Sequence, residues 1–414
     1  MDRTILHVDA NCFYASVECL YRPELRDKPM AVVGDVEKRH GIILTANYIA
    51  KRNYGIKTGE PLFQAKLKCP QLAAVKSNMP LYIKFSKRLK EILFRYSDLV
   101  ESFGIDEAWV DVTDSRKLFG SGEEIAEQIS RTVKEELGIT VSIGVSFNKA
   151  FAKLGSDFKK PDGITVITKE NFRRKVWGLP VSDLLNVGRR TSAKLISKNI
   201  NTIGELANTS PSELKSWLGK NGLMLYDFAN GYENSPVKAY NDDSRVKSIS
   251  NSVTASRDLT TADDVKMIIY VLSDSIARRL REQKLFCKTV SIYIKTNRLT
   301  GFSRQCTLSE HTNLEKIISG TAVSLFFASC SLSVPIRAIG ITVGDLTDKK
   351  GFIQLDIYGN AQKAKKTERL ERAEDELKNR FGSNCIKRGL LIKDSKLTGF
   401  DPKITHTVHP VGYY

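Results

Sequence analysis

The chain opens on an apolar run, Thr4-Ile5-Leu6-His7-Val8, that stops at an acid, Asp9. A run this short, ended by a charge, predicts a buried strand. Ser102-Phe103-Gly104-Ile105 and Ala108-Trp109-Val110-Asp111-Val112 predict a strand, a tight turn and a second strand, with Asp106-Glu107 at the junction. Pro29 to Gly34 and Gly41 to Thr45 predict two more strands. From Asn47 to Cys69 the pattern is helical, broken at Gly55-Ile56-Lys57-Thr58-Gly59. Tyr82 to Tyr96 sets Ile83, Leu89, Ile92, Leu93 and Tyr96 at helical spacing, with lysines and arginines on the other face. A second amphipathic helix, Ile125 to Leu137, precedes a strand at Thr140 to Val145, and Ile164 to Ile167 closes the region. This β–α–β–β–α–β succession fits a ferredoxin-like α+β core.

Short helices follow from Asn171 to about Pro236. Residues 237–246 are polar, lack apolar periodicity and read as a linker. Beyond them lie Lys247-Ser248-Ile249-Ser250, a helix from Asp263 to Lys284, a strand at Val290 to Lys295, a helix at Leu314 to Phe327 and a strand at Ile336 to Val343. That is a second α+β unit. The run Arg278-Arg279-Leu280-Arg281 reads as the solvated face of its first helix. A charged helix from Thr367 to Phe381 has no assignable chemistry.

At 414 residues the chain is too long for one core and predicts several domains. Its 41% hydrophobic and 27% charged residues describe a soluble globular protein. No apolar stretch reaches the ~18 residues of a membrane span, and the start runs directly into a strand rather than a signal peptide. Seven scattered cysteines without a C-x-x-C pair read as reduced thiols of a cytoplasmic protein. The five histidines are dispersed, and His406 and His409 read as surface residues. A net charge of +17 points to a polyanionic partner. The acids at the strand ends then need an explanation. Free carboxylates there are costly to bury, and a divalent cation removes that cost. If the first strand lies beside the hairpin, Asp9, Asp106 and Glu107 converge, which is the equipment for two-metal phosphoryl transfer.

Three motifs sharpen this reading. They are His7-Val8-Asp9-Ala10-Asn11-Cys12-Phe13-Tyr14-Ala15-Ser16-Val17-Glu18, Gly104-Ile105-Asp106-Glu107-Ala108-Trp109-Val110-Asp111, and Gly144-Val145-Ser146-Phe147-Asn148-Lys149-Ala150-Phe151-Ala152-Lys153-Leu154 running on to Lys160-Pro161-Asp162-Gly163. In that order and spacing they resemble the Y-family translesion DNA polymerases, the group of the DinB and UmuC types. The resemblance implies a palm at 1–19 and 76–168, fingers at 20–75, a helical thumb at 169–236, the linker at 237–246, a little finger at 247–348 and a tail at 349–414. It implies two Mg²⁺ ions on Asp9, Asp106, Glu107 and the Ala10 carbonyl. Tyr14 matches the aromatic that excludes a 2′-OH, with Phe13 beside it, and Tyr48, Arg52 and Lys160 match triphosphate contacts.

Leu184 to Leu195 resembles a helix-hairpin-helix, which implies phosphate contacts from Gly188, Arg189 and Arg190, with Lys247 adding another in the little finger. Gln354, Leu355, Ile357 and Tyr358 resemble a sliding-clamp-binding peptide. Primer–template DNA and dNTP are the implied ligands of a monomer. A recombinase filament or accessory subunits are partners that the family raises without residues to carry them. Four departures stand out: Asn11 where many members have aspartate, Gly104 for a serine, Asn186 for a glycine, and one extra residue from Tyr48 to Gly55. Two rivals are another palm-type two-metal enzyme, such as a nucleotide cyclase, and a catalytically silent DNA-binding recruitment factor.

Overall fold

A computed structural model describes residues 3–35, 41–239, 246–348 and 360–402. Gln354, Leu355, Ile357 and Tyr358 lie outside the described residues, as do His406, His409 and most of the linker. The described chain forms two compact units, residues 3–34 with 42–239, and residues 246–348 with 360–402. All seven cysteines are free thiols. No helix among the described residues is long and apolar enough to cross a membrane.

In chain order the first unit runs β1 (Ile5–Ala10), α1 (Phe13–Tyr21), β2 (Met30–Val33), β3 (Ile43–Ala46), α2 (Tyr48–Tyr54), α3 (Leu62–Lys68), β4 (Ala73–Lys76), α4 (Met79–Leu93), β5 (Val100–Ser102) and β6 (Glu107–Asp111). It continues through α5 (Arg116–Phe119), α6 (Gly122–Leu137), β7 (Val141–Ser146), α7 (Lys149–Phe158) and β8 (Ile164–Ile167). The main sheet has the order β5-β6-β1-β7-β8. Its first four strands are antiparallel in the ferredoxin-like arrangement, and β8 adds a fifth, parallel to β7. A smaller sheet, β3-β2-β4, carries α2 and α3.

Local signals explain the frame. Ser121 and Glu124 form a capping box at the start of α6, and Gly138 ends that helix in the left-handed region at φ 69. The apolar faces of α4 and α6, with Leu89, Ile92, Leu93, Ile125, Ile129 and Val133, are buried in one core with Leu6 and Val8 of β1. A Cβ on Gly144 of β7 would lie 1.9 Å from the Ala152 carbonyl of α7, so glycine alone lets this helix lie so close to the sheet. That approach sets the lysines of α7 near the ends of β1 and β6.

The unit ends in α8 (Phe172–Val176), α9 (Arg189–Ile196), α10 (Ile203–Asn208), α11 (Pro211–Leu218) and α12 (Lys220–Ala229). They share a core with Phe151 and Leu154 of α7. Ahead of α9 the chain forms only a 3₁₀ turn, Val181–Asp183.

The second unit holds β9 (Ser248–Leu259), α13 (Ala262–Glu282), β10 (Phe286–Thr296), β11 (Gly301–Thr312), α14 (Glu315–Ser329), β12 (Ile336–Thr347), α15 (Asn360–Phe381), α16 (Gly389–Ile392) and α17 (Ser395–Thr398). Its antiparallel sheet has the order β11-β10-β12-β9. Two readings need correction here. The sequence pattern gave no sign of β11, because this edge strand is mostly exposed and only Phe302 and Leu308 of one face pack against the core. The Arg278–Arg281 run is not a solvated face. Arg278 and Arg281 are buried on α13, and Arg281 forks onto Asp375 of α15 at 2.5 and 2.9 Å while also bonding Glu371. Lys378 reaches Asp274 at 2.6 Å, so the charged helix is an integral layer of this unit.

Candidate active site

The end of β1 and the β5–β6 turn are tied by backbone. Asp9 is the register partner of Glu107, and the Ala10 N–H donates to the Asp106 carbonyl at 3.0 Å. Three carboxylates and the Ala10 position therefore share one edge of the sheet. Each acid is answered differently. Lys160, after α7, donates to Asp9 at 2.7 Å and also pairs with Asp157 at 2.8 Å. Lys153 of α7 donates to Glu107 at 2.5 Å. The buried His7 has Nδ1 2.9 Å from the Ser156 hydroxyl and Nε2 3.3 Å from Glu107, the latter outside hydrogen-bond geometry.

The titration behaviour follows this layout. Burial first, then the charges of Asp9 and Glu107, push the Asp106 carboxyl up to about 7. Burial also opposes ionisation of Glu107, but His7 and Lys153 outweigh it and hold that carboxyl down at about 2. Burial lowers the His7 pKa. Lys160 is raised despite its burial, chiefly by Asp9.

Beneath the turn lies a residue that sequence reasoning missed. Lys90 of α4 is 1% exposed, and its Nζ donates to the Ser86 hydroxyl at 3.0 Å and the Gly104 carbonyl at 3.3 Å. Ser86 in turn donates to the Ile105 carbonyl. Burial lowers the Lys90 pKa to about 8, with Asp106 pulling the other way. The expectation that the lysines of this helix face away from the core fails at this position. Gly104 also has a local reason: a Cβ there would meet the Glu107 Cγ at 2.9 Å.

Among the described residues, no three His, Cys, Asp or Glu side chains are grouped to hold a metal ion, and Lys160 and Lys153 engage Asp9 and Glu107. The donor set nonetheless fits a divalent cation in its chemistry. It offers hard oxygens, and one carboxyl is raised by burial and then by its neighbours' negative charge.

On the nucleotide side, Tyr14 stacks on Tyr82 with ring centroids 4.4 Å apart and planes 20° apart. Tyr82 is buried and its hydroxyl donates to Glu18 at 2.6 Å. Phe13, expected at the nucleotide, is 2% exposed and belongs to the core, so its ring packs beside Tyr14 and is not presented to a ligand. Tyr48 opens α2. Its ring lies under Arg52, 5.1 Å to the centroid, and under Lys51 at 5.6 Å. Arg52 donates to the Lys160 carbonyl at 3.2 Å. Two cations thus lie on the Tyr48 ring, and Lys51 is the one the sequence reading passed over.

Gly188 caps α9 in an extended conformation, and a Cβ there would touch nothing within 4 Å. Arg189 and Arg190 are exposed on the first turn of that helix. Asn186 takes φ 70, the left-handed conformation that glycine adopts without strain. Lys247 is exposed just before β9 and belongs to the other unit.

The chain matches the impB/mucB/samB family over residues 8–157, its C-terminal domain over 246–357, and the thumb domain of DNA polymerase iota over 182–233. DNA polymerase IV of Acetivibrio thermocellus is 50% identical over 397 residues, 96% of this chain and 99% of the relative. DNA polymerase IV of Clostridium kluyveri is 37% identical over 402 residues, 96% of this chain and 100% of the relative. A solved Y-family DNA polymerase chimera covers 83% of this chain and 98% of its own with a TM-score of 0.72 at 24% identity, a likeness of fold. A relative identical at half its positions along nearly the whole chain, and family matches in both units, place this chain in the impB/mucB/samB family, the Y-family translesion DNA polymerases.

Proposed function

We propose that this chain is a template-directed DNA polymerase of the error-prone, lesion-bypass type, adding deoxynucleotides to a primer 3′-OH. The observation that carries the reading is the backbone-tied edge where Asp9, Asp106 and Glu107 meet beside Lys160. Asp9, Asp106, Glu107 and the Ala10 carbonyl would hold two Mg²⁺ ions, which activate the 3′-OH and neutralise the triphosphate when bound. The remaining roles fall to the protein's own side chains. Lys160, Arg52, Lys51 and Tyr48 hold and orient the triphosphate. Tyr14, backed by Tyr82, fills the space a 2′-OH needs, so deoxyribonucleotides are chosen by exclusion. Lys90 and Ser86 fix the carbonyls just ahead of Asp106. Gly188, Arg189, Arg190 and Lys247 grip phosphates without reading sequence.

Primer extension with Mg²⁺ and four dNTPs tests this, comparing wild type with Asp106→Ala. Extension by wild type that the substitution abolishes is the expected result. Salt-sensitive DNA binding without extension would favour the silent recruitment factor. Turnover of a nucleoside triphosphate without a template would favour a cyclase-like enzyme.

A further inference from the structure

We propose that Asn11 is a positioning residue for the incoming triphosphate, acting as the fixed acceptor that sets the Tyr48 hydroxyl. The inference rests on the polymerase reading above. Asn11 follows the ligand strand, is 2% exposed, and is bonded through every polar group of its side chain. Its backbone N–H donates to the Thr140 carbonyl at 2.9 Å, and its Nδ2 donates to the Thr140 hydroxyl at 3.1 Å. Its Oδ1 accepts from the Ser142 hydroxyl at 2.9 Å and from the Tyr48 hydroxyl at 3.2 Å. The main sheet thus holds Asn11 rigidly, and Asn11 holds a side chain of α2.

Tyr48 has a single polar side-chain atom, and Asn11 receives its proton. That bond sets the tilt of the ring, and Arg52 and Lys51 lie over the ring. Arg52 continues the chain to the Lys160 carbonyl, and the Lys160 ammonium sits on Asp9. Asn11 thus sets the ring on which Arg52 and Lys51 rest, while Lys51 is also held by the Cys12 thiol at 3.3 Å and Lys160 by Asp9 and Asp157. What Tyr48 needs is the acceptor rather than the amide. A carboxylate at this position would accept from the Tyr48, Ser142 and Thr140 hydroxyls alike. Asn11→Asp therefore keeps the latch, whereas Asn11→Leu keeps the volume and loses it.

Two measurements on the full chain test this: single-nucleotide insertion kinetics, and dNTP affinity on a primer–template ended by a 3′-deoxynucleotide. Asn11→Leu and Tyr48→Phe are each expected to raise KM and Kd for dNTP about five- to tenfold with kcat within about twofold, the loss of one hydrogen bond. The double variant is expected to be no worse than the poorer single one, because both remove the same bond. Asn11→Asp is expected to lie within about twofold of wild type in Kd. Unchanged Kd in Asn11→Leu, a fall in kcat alone, or full additivity with Tyr48→Phe overturns the proposal. Where circular dichroism finds Asn11→Leu unfolded, Tyr48→Phe and Asn11→Asp decide: an unaltered Kd in the first or a large rise in the second sinks it. A wild type that binds dNTP but never extends a primer removes the polymerase reading and leaves the Kd series to judge Asn11. A wild type that binds no dNTP removes both.

Discussion

Two regions of this chain bury charge and resolve it in opposite ways. At the end of β1 three acids lean on one another, and the Asp106 carboxyl is pushed up to about 7. The cations that answer Asp9 and Glu107 are lysines, single-point donors on flexible stems. On α13 the buried charges face opposite charges. Arg281 forks onto Asp375 and also bonds Glu371, and Arg257 of β9 bridges Asp264 and Asp394. Planar guanidinium pairs of this kind fix one geometry. The first arrangement sets a raised carboxyl beside two others, and the second sets opposite charges in forked pairs. Loosely answered charge distinguishes the candidate site here, while forked pairs distinguish the scaffold.

The largest expected effect breaks the comparison on the activity side. Asp106→Ala should lower primer extension by on the order of a thousandfold or more, since several kcal/mol of metal-assisted stabilisation depend on that site. Its melting temperature should hold or rise, because a carboxylate repelled by two neighbours is gone. A large loss of stability would mean the acids are structural. Arg281→Met is the converse. Leaving Glu371 and Asp375 buried without their partner should cost about 3–5 kcal/mol, read by urea unfolding of the C-terminal unit. A cost below about 1 kcal/mol would place this network with ordinary surface pairs.

Lys90→Met sharpens the contrast within the first unit. The ammonium is desolvated and its pKa falls to about 8, so removing it should change stability little. Its bonds to Ser86 and the Gly104 carbonyl hold the turn that carries Asp106, and their loss should lower kcat about tenfold or more. Equal loss of stability and activity would make Lys90 a plain core support.

How much of this the sequence disclosed follows the same division. The strands β1, β6 and β7 and the helices α4 and α6 were legible because their apolar residues keep a clean period. The acids were legible because charge interrupts an apolar run. Lys90 was not, since a buried lysine at helical spacing looks like its solvated neighbours until the turn above it is known. Arg278 and Arg281 misled for the same reason: their partners lie nearly a hundred residues away on α15. The edge strand β11 left no signal because its apolar residues on the inner face, Phe302 and Leu308, are too widely spaced among exposed polar ones. Asn186 is the reverse case, a departure from the family pattern whose φ of 70 keeps the turn a glycine would make.

The smallest expected effect tests whether the α13 region behaves as paired charge or as a cap. Asp264 sits in the first turn of α13, where it takes the Arg257 fork at 2.6 and 3.0 Å and accepts the N–H groups of Thr260 and Thr261 at 3.1 Å. The Arg257 bonds, acting against burial and helped by those N–H groups, hold its carboxyl down at about 2. A carboxyl whose folded pKa lies below its ordinary value stabilises the fold fully above pH ~4, and that contribution fades as the pH falls toward the folded value. Asp264→Asn should therefore cost about 1 kcal/mol at pH 7, less than the shift alone implies because the Arg257 side chain is 45% exposed. Urea unfolding at a series of pH values should find the gap to wild type closing between about pH 4 and pH 2. A gap that stays constant across that window would assign the cost to helix-cap geometry, and the charge on Asp264 would then contribute nothing to holding α13.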